Sequence, residues 1–229
     1  MLKIYDFMKS SFFVTFIFCL VFVSKMSSQW DRDIQSRLIT GINYKLNKKW
    51  KFDFEYRYNL KENLKEFKSS VFQLETCYKL NKKWSANSGV RFDTNYNSDY
   101  LMLFVKLGYS QKIIKKLKLK SFVRYQYKNI YNDFFFLNND YKKITRQKNE
   151  IKYSLSNTQV SFKGGMELFL NTDTENGFFV FNQIRYSLSL GYDLKKYGNI
   201  KLRTFWDSHY GYDNDDRTVY SFKYVYTLD

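Results

Sequence analysis

From residue 50 to residue 60 the chain alternates without a break. Trp50, Phe52, Phe54, Tyr56, Tyr58 and Leu60 fall on one face of an extended strand, and Lys51, Asp53, Glu55, Arg57 and Asn59 on the other. Successive strand side chains point to opposite faces, so this segment meets an apolar medium on one side and a polar one on the other. Trp84, Ala86, Val90, Phe92 and Tyr96 repeat the pattern against Ser85, Asn87, Arg91, Asp93 and Asn95. It returns in 117–128, where Phe122 alone breaks onto the polar face, and in 184–193, 200–207 and 220–228. Weaker candidates at 37–46, 71–80, 101–113, 144–155 and 160–170 bring the predicted strands to eleven.

The connectors fall into two groups. Those at 47–49, 81–83, 114–116, 156–159 and 195–199 are short, while 61–68, 131–143, 171–177 and 213–216 are mostly longer and more polar; 97–99 is short but falls on the long side. Two of the short ones belong to a repeat: Tyr44-Lys45-Leu46-Asn47-Lys48-Lys49-Trp50 returns unchanged as Tyr78-Lys79-Leu80-Asn81-Lys82-Lys83-Trp84. Short turns at one end and long loops at the other predict an all-β fold, an antiparallel up-and-down transmembrane β-barrel of 10–12 strands. An odd count conflicts with the even number usual in single-chain bacterial barrels. A strand split, missed or merged near 131–147 or 29–36 is therefore expected.

The first residues read differently. Lys3 and Lys9 flank a polar start, 12–23 is an apolar run, and Ser24, Ser27 and Ser28 follow. The run is well short of the roughly 20 residues of a spanning helix, so 1–28 is predicted to be a cleaved signal peptide. The remainder, 29–229, is a single barrel domain placed in the outer membrane of a Gram-negative bacterium. Its partners there are outer-membrane lipids, lipopolysaccharide and the barrel-assembly machinery. Cys19 leaves with the signal peptide, and Cys77 alone cannot form an intramolecular disulfide.

Composition supports the barrel. With 21% aromatic residues and no proline the chain favours strands, and a mean hydropathy of -0.53 fits segments in which only alternate residues are apolar. The repeat places Tyr44, Trp50, Tyr78 and Trp84 at one rim, as a membrane-interface girdle requires. A soluble barrel or sandwich, exported and binding a small ligand, is the alternative, but so many large rings turned inward would overfill its interior.

A formal charge of +16 points to anionic surfaces or a basic lumen, or to an AT-rich coding bias; export makes nucleic acid a poor partner. The polar face carries Arg57, Arg91, Lys120, Arg124, Arg185 and Arg203 as lumen candidates for an unknown small ligand. Mixed with acids, they either pair and close a narrow barrel or favour anions in a wider one. The function expected is a structural barrel or a small anion-favouring pore, and not an enzyme. The enzymatic alternative is a barrel-wall lipid hydrolase. Asp207 and His209 share a face and could orient an imidazole base, with Ser208 pointing the other way. No cofactor motif occurs, and no metal site is predicted: Asp213-Asn214-Asp215-Asp216 lacks the remaining ligands of a calcium loop, and Gly164-Gly165 has no phosphate-loop context.

Trp30, the two Tyr-Lys-Leu-Asn-Lys-Lys-Trp turns, Phe54-Glu55-Tyr56-Arg57-Tyr58 and Met166-Glu167-Leu168-Phe169 resemble an outer-membrane family called domain of unknown function 2490. The resemblance covers the whole exported chain. It implies a small barrel of unknown role and carries no catalytic residues. The chain departs from the common outer-membrane ending, Phe or Trp, by finishing Leu228-Asp229.

Overall fold

The computed structural model describes residues 33–96, 98–131, 141–172, 179–210 and 216–228. Eleven strands run in chain order: β1 Asp33–Lys45, β2 Trp50–Lys61, β3 Glu66–Lys79, β4 Trp84–Thr94, β5 Asp99–Ile114, β6 Leu117–Tyr131, β7 Tyr141–Ser154, β8 Val160–Thr172, β9 Phe179–Asp193, β10 Asn199–His209 and β11 Arg217–Leu228. Each pairs with its neighbours in sequence, and β1 pairs with β11 to close the ring. The segments predicted as a signal peptide and the loops at 132–140, 173–178 and 211–215 lie outside the described residues, as does Trp30.

The odd count needs no missing strand among the described residues. Successive strands alternate in direction, so the first and eleventh run the same way and can close the ring only in parallel. The seam does this in register from Asp33 opposite Arg217 to Tyr44 opposite Leu228. All other pairings are antiparallel, among them β1 with β2 and β10 with β11. The expected even, wholly antiparallel ring is corrected on this point.

The alternation read from the sequence sets the two faces. Leu38, Phe54, Phe72, Leu103, Val123, Tyr186, Leu202 and Phe222 are exposed on the outer wall, while Arg57, Arg91, Arg124, Arg185 and Arg203 line the interior. A soluble barrel would bury such an outer face; here it forms an apolar belt around a polar lumen, the arrangement of a membrane-spanning barrel.

The repeated motif owes its identity to turn chemistry. Asn47 Oδ1 accepts from the backbone N–H of Lys49 and of Trp50, both at 2.8 Å. Asn81 Oδ1 does the same for Lys83 at 2.8 Å and Trp84 at 2.9 Å. An Asn side chain thus takes the place of a backbone acceptor in each turn. The two copies also touch: Trp50 lies opposite Tyr78 in the ladder, with ring centroids 4.7 Å apart. Trp84 stands 4.9 Å from Tyr109.

One connector is tighter than expected. The predicted loop 61–68 shrinks to residues 62–65, because β2 and β3 extend to pair Lys61 with Glu66. Glu62, Asn63 and Leu64 take φ of 50°, 54° and 70°, a left-handed run without glycine. Asp33 Oδ1 accepts from the Asn63 N–H at 3.3 Å and ties the turn to β1.

Candidate functional site: the basic lumen

The interior holds two compartments. That at the long-loop end has a volume of about 670 Å³, and its described lining contains fourteen Lys and Arg against Glu55, Asp93 and Glu167. That at the short-turn end has about 1100 Å³, with ten lysines against Asp53, Glu55, Glu75 and Asp193. Glu55, Lys201 and Lys223 line both and form the waist between them.

At the waist Lys223 Nζ donates to Glu55, which also takes Arg57 Nε. Lys223 on β11 reaches Glu55 on β2 across β1, and Gly41 is the β1 residue opposite Glu55. A Cβ at Gly41 would stand 2.7 Å from the Phe54 carbonyl oxygen and 3.7 Å from Glu55 Cα, so a larger residue would crowd the wall beside this pair. Lys201 makes no hydrogen bond or ion pair among the described residues.

Other lumen acids gather cations as well: Glu75 takes Lys106 in the short-turn compartment, and Arg185, 4.0 Å from Glu167, links the Glu167 and Asp207 groups. Glu167 accepts from Arg146 Nε at 2.9 Å and Nη2 at 2.5 Å. Asp207, 0% exposed, accepts from Arg185 Nε at 2.5 Å and Nη2 at 2.8 Å, and from Arg217 Nε at 2.8 Å. Glu150 gathers Lys148 at 3.2 Å, Lys163 at 3.6 Å and Arg203 at 3.7 Å. Pairing of this kind offsets the desolvation of charges held in a protein interior.

Aromatic rings inside the lumen serve the cations. Arg124 lies 3.6 Å over the Phe104 centroid, Lys128 3.5 Å over Tyr100, Arg146 4.5 Å over Phe169 and Arg185 4.5 Å over Phe205. Phe122, the exception on the polar face, lies beneath Lys106 at 5.4 Å. A ring face attracts a cation electrostatically, which gives these inward rings a place in a charged lumen.

The structure brings Arg57, Arg91, Arg124, Arg185 and Arg203 into the long-loop compartment and Lys120 into the other. Tyr44, Trp50, Tyr78 and Trp84 gather at the short-turn rim, where Tyr44 also stacks on Phe52 at 6.5 Å. Asp207 and His209 share the inner face of β10, but the Asp207 carboxylate is engaged by the two arginines. The His209 backbone N–H donates to Asp216 Oδ1 at 3.0 Å. Sequence reasoning passed over Arg37, Gln73, Arg146 and Arg217, which sit in weaker strands or strand ends. Alternation against Leu38, Ile42 and Tyr44 could have placed Arg37 inside, whereas β7 offers no such contrast for Arg146.

A family model described as "Protein of unknown function (DUF2490)" matches residues 34–219. No curated protein matches the chain. Among solved structures, "NanC porin structure in rhombohedral crystal form" is similar at 15% identity with a TM-score of 0.51, over 82% of this chain and 95% of that one. "KdgM porin" is similar at 13% identity with a TM-score of 0.44, over 76% and 91%. At such identity the likeness to NanC is one of fold.

Proposed function

We propose, for a chain that belongs to the DUF2490 family and folds as a closed eleven-strand barrel, that it is a small outer-membrane pore favouring anions. The observation that carries the reading is the long-loop compartment, where fourteen basic side chains meet three acids. Low-dielectric walls lined by one sign of charge concentrate the opposite ion. The fold shared with the NanC porin supports the same reading. An exported chain with this apolar belt sits in the outer membrane of a Gram-negative bacterium, against outer-membrane lipids and lipopolysaccharide, and arrives there through the barrel-assembly machinery.

Purified protein inserted into planar bilayers under a tenfold KCl gradient tests the proposal. Stepwise conductance with a reversal potential displaced toward the chloride equilibrium potential is the expected result. Cation selectivity overturns it, and silence in both polarities replaces the pore with a structural barrel whose waist is closed by the Glu55, Lys223 and Arg57 cluster. The hydrolase alternative gains no support from Asp207, whose oxygens serve Arg185 and Arg217.

A further inference from the structure

Eight arginines line the long-loop compartment. Arg57, Arg146, Arg185, Arg203 and Arg217 each reach a carboxylate. Arg37, Arg91 and Arg124 are in no ion pair among the described residues. Arg37 gives its Nε to Asn59 Oδ1 at 2.8 Å. The other two are more deeply short of acceptors.

Arg124 is 7% exposed, and its Nε has no hydrogen-bond partner among the described residues. The contacts of its guanidinium are the Phe104 face and Met102 Sδ, a weak acceptor 3.7 Å from Nη2. Arg91 places both Nε and Nη2 on one neutral atom, Gln73 Oε1, at 3.0 and 2.6 Å. That oxygen already takes Arg57 Nη2 at 3.0 Å. Met102 is the ladder partner of Arg91, so the Arg124 guanidinium reaches onto β5 at the position opposite Arg91. Like charges repel here, and Arg91 feels both Arg57 and Arg124.

Guanidinium groups do not shed their protons in proteins. Glu75 and Glu167 attract Arg124 only from beyond ion-pair distance; buried cations with no carboxylate in contact are destabilising, and the compartment has open volume beside them. Their planar forks match the oxygens of carboxylate, sulfate or phosphate. The support is also built to hold one geometry: the Phe104 ring lies in the space left by Gly89, where a Cβ would overlap Phe104 Cζ.

We propose that Arg91 and Arg124 form a binding site for a compact oxyanion group in the long-loop compartment of the lumen. The site deepens the pore reading and rests on it for access from solution, while binding itself requires no conduction. Gln73 serves as a positioning residue, because its one carbonyl oxygen holds Arg91 and Arg57 side by side.

Calorimetric titration of the detergent-solubilised exported chain tests the site, with sodium sulfate and then sodium acetate added against sodium chloride of equal ionic strength. Saturable binding of one oxyanion per barrel is expected. Arg124→Gln and Arg91→Gln each weaken it at least tenfold, while Lys112→Gln, the same charge change at the exposed short-turn rim, stays within twofold. Sulfate also raises the unfolding midpoint of the unsubstituted protein above that in chloride, a readout that stands even if Arg124→Gln does not fold. No saturable binding of either anion, or undiminished affinity in Arg91→Gln and Arg124→Gln, overturns the site. Anion-selective conductance without oxyanion binding defeats the site and leaves the pore; binding without conductance defeats the pore and leaves the site.

Discussion

Asp207→Asn removes the carboxylate that two arginines of the lumen wall share. Asp207 is fully buried and receives three charge-assisted bonds, at 2.5 and 2.8 Å from Arg185 and 2.8 Å from Arg217. Breaking a buried pair by deleting one partner costs about 3–5 kcal/mol, because the remaining charge is left uncompensated. Arg185 keeps Glu167 at 4.0 Å after the change, whereas Arg217 has no second carboxylate among the described residues. The expectation therefore lies at the low end, about 3 kcal/mol. Urea unfolding in detergent micelles measures it by tryptophan fluorescence, since Trp206 adjoins the site, and by the unboiled band that runs apart from the boiled one. Adding Arg217→Gln to Asp207→Asn removes the stranded charge and should restore at least about 1 kcal/mol, a coupling expected of residues in contact. A loss within about 0.5 kcal/mol, the range of an ordinary surface substitution, would refute the reasoning and mean that water carries these guanidinium groups.

Further outcomes follow from the geometry. Leu38→Cys with Phe222→Cys, in a Cys77→Ser background, should form a disulfide across the parallel seam, as these residues are ladder partners; a Leu38→Cys and Tyr58→Cys pair, partners across β1 and β2, is the positive control, and oxidation of the control alone would reject the seam. Gly89→Ala drives a Cβ into the Phe104 ring and the Leu74 carbonyl, and overpacking of that kind costs roughly 1–3 kcal/mol; an unchanged urea midpoint would count against the packing. Leu64→Gly removes a left-handed Leu at φ 70° and should stabilise the barrel by about 1 kcal/mol, read as a raised midpoint. Gln147→Leu should stabilise the barrel by about 1 kcal/mol in lipid bicelles, because Gln147 is exposed on the outer wall at the middle of β7 without a side-chain partner among the described residues; a lowered midpoint would show that something other than lipid meets it.

Strands that separate two media announced themselves in the sequence. β2, β4, β6 and β9 place rings or aliphatic groups at most outward positions and charged, polar or small residues at most inward ones, so their span and orientation could be read directly. β7 was faint for a physical reason: its outward positions include Lys143, Thr145, Gln147 and Asn149, and its inward ones Ile144, so the two faces differ little in polarity. Arg146 and Lys148 were passed over with it. Closure was illegible as well, since pairing β1 with β11 depends on strand number and not on any residue of either strand. The lumen candidates could be placed on a face, but not sorted by partner. Two-residue spacing aligned Asp207 with His209, whereas the ladder brings Arg185 directly opposite Asp207 from the neighbouring strand.

Sorting the lumen cations by partner separates two kinds of charge that composition lumps together. Arg146, Arg185, Arg203, Arg217 and Lys223 are held by carboxylates, and each such pair joins strands across the wall, as Lys223 does in bridging β11 to β2 over β1. Several of the acids hold more than one cation, as Asp207 holds Arg185 and Arg217 and Glu55 holds Arg57 and Lys223, so these charges are bound to the fold. Arg91, Arg124 and Lys201 are in contact with no carboxylate among the described residues, Glu75 and Glu167 acting on Arg124 and Glu150 on Lys201 only from farther off, and burial so weakly compensated makes each a cost to the folded state. A coding bias toward lysine would scatter surplus charge over exposed positions, where it costs little. Arg124 at 7% exposure is not such a position. Deleting a paired charge should therefore weaken the barrel, whereas deleting an unpaired one should strengthen the empty barrel and weaken its hold on an anion. Opposite signs of effect in one lumen are a sharper test of function than the total charge.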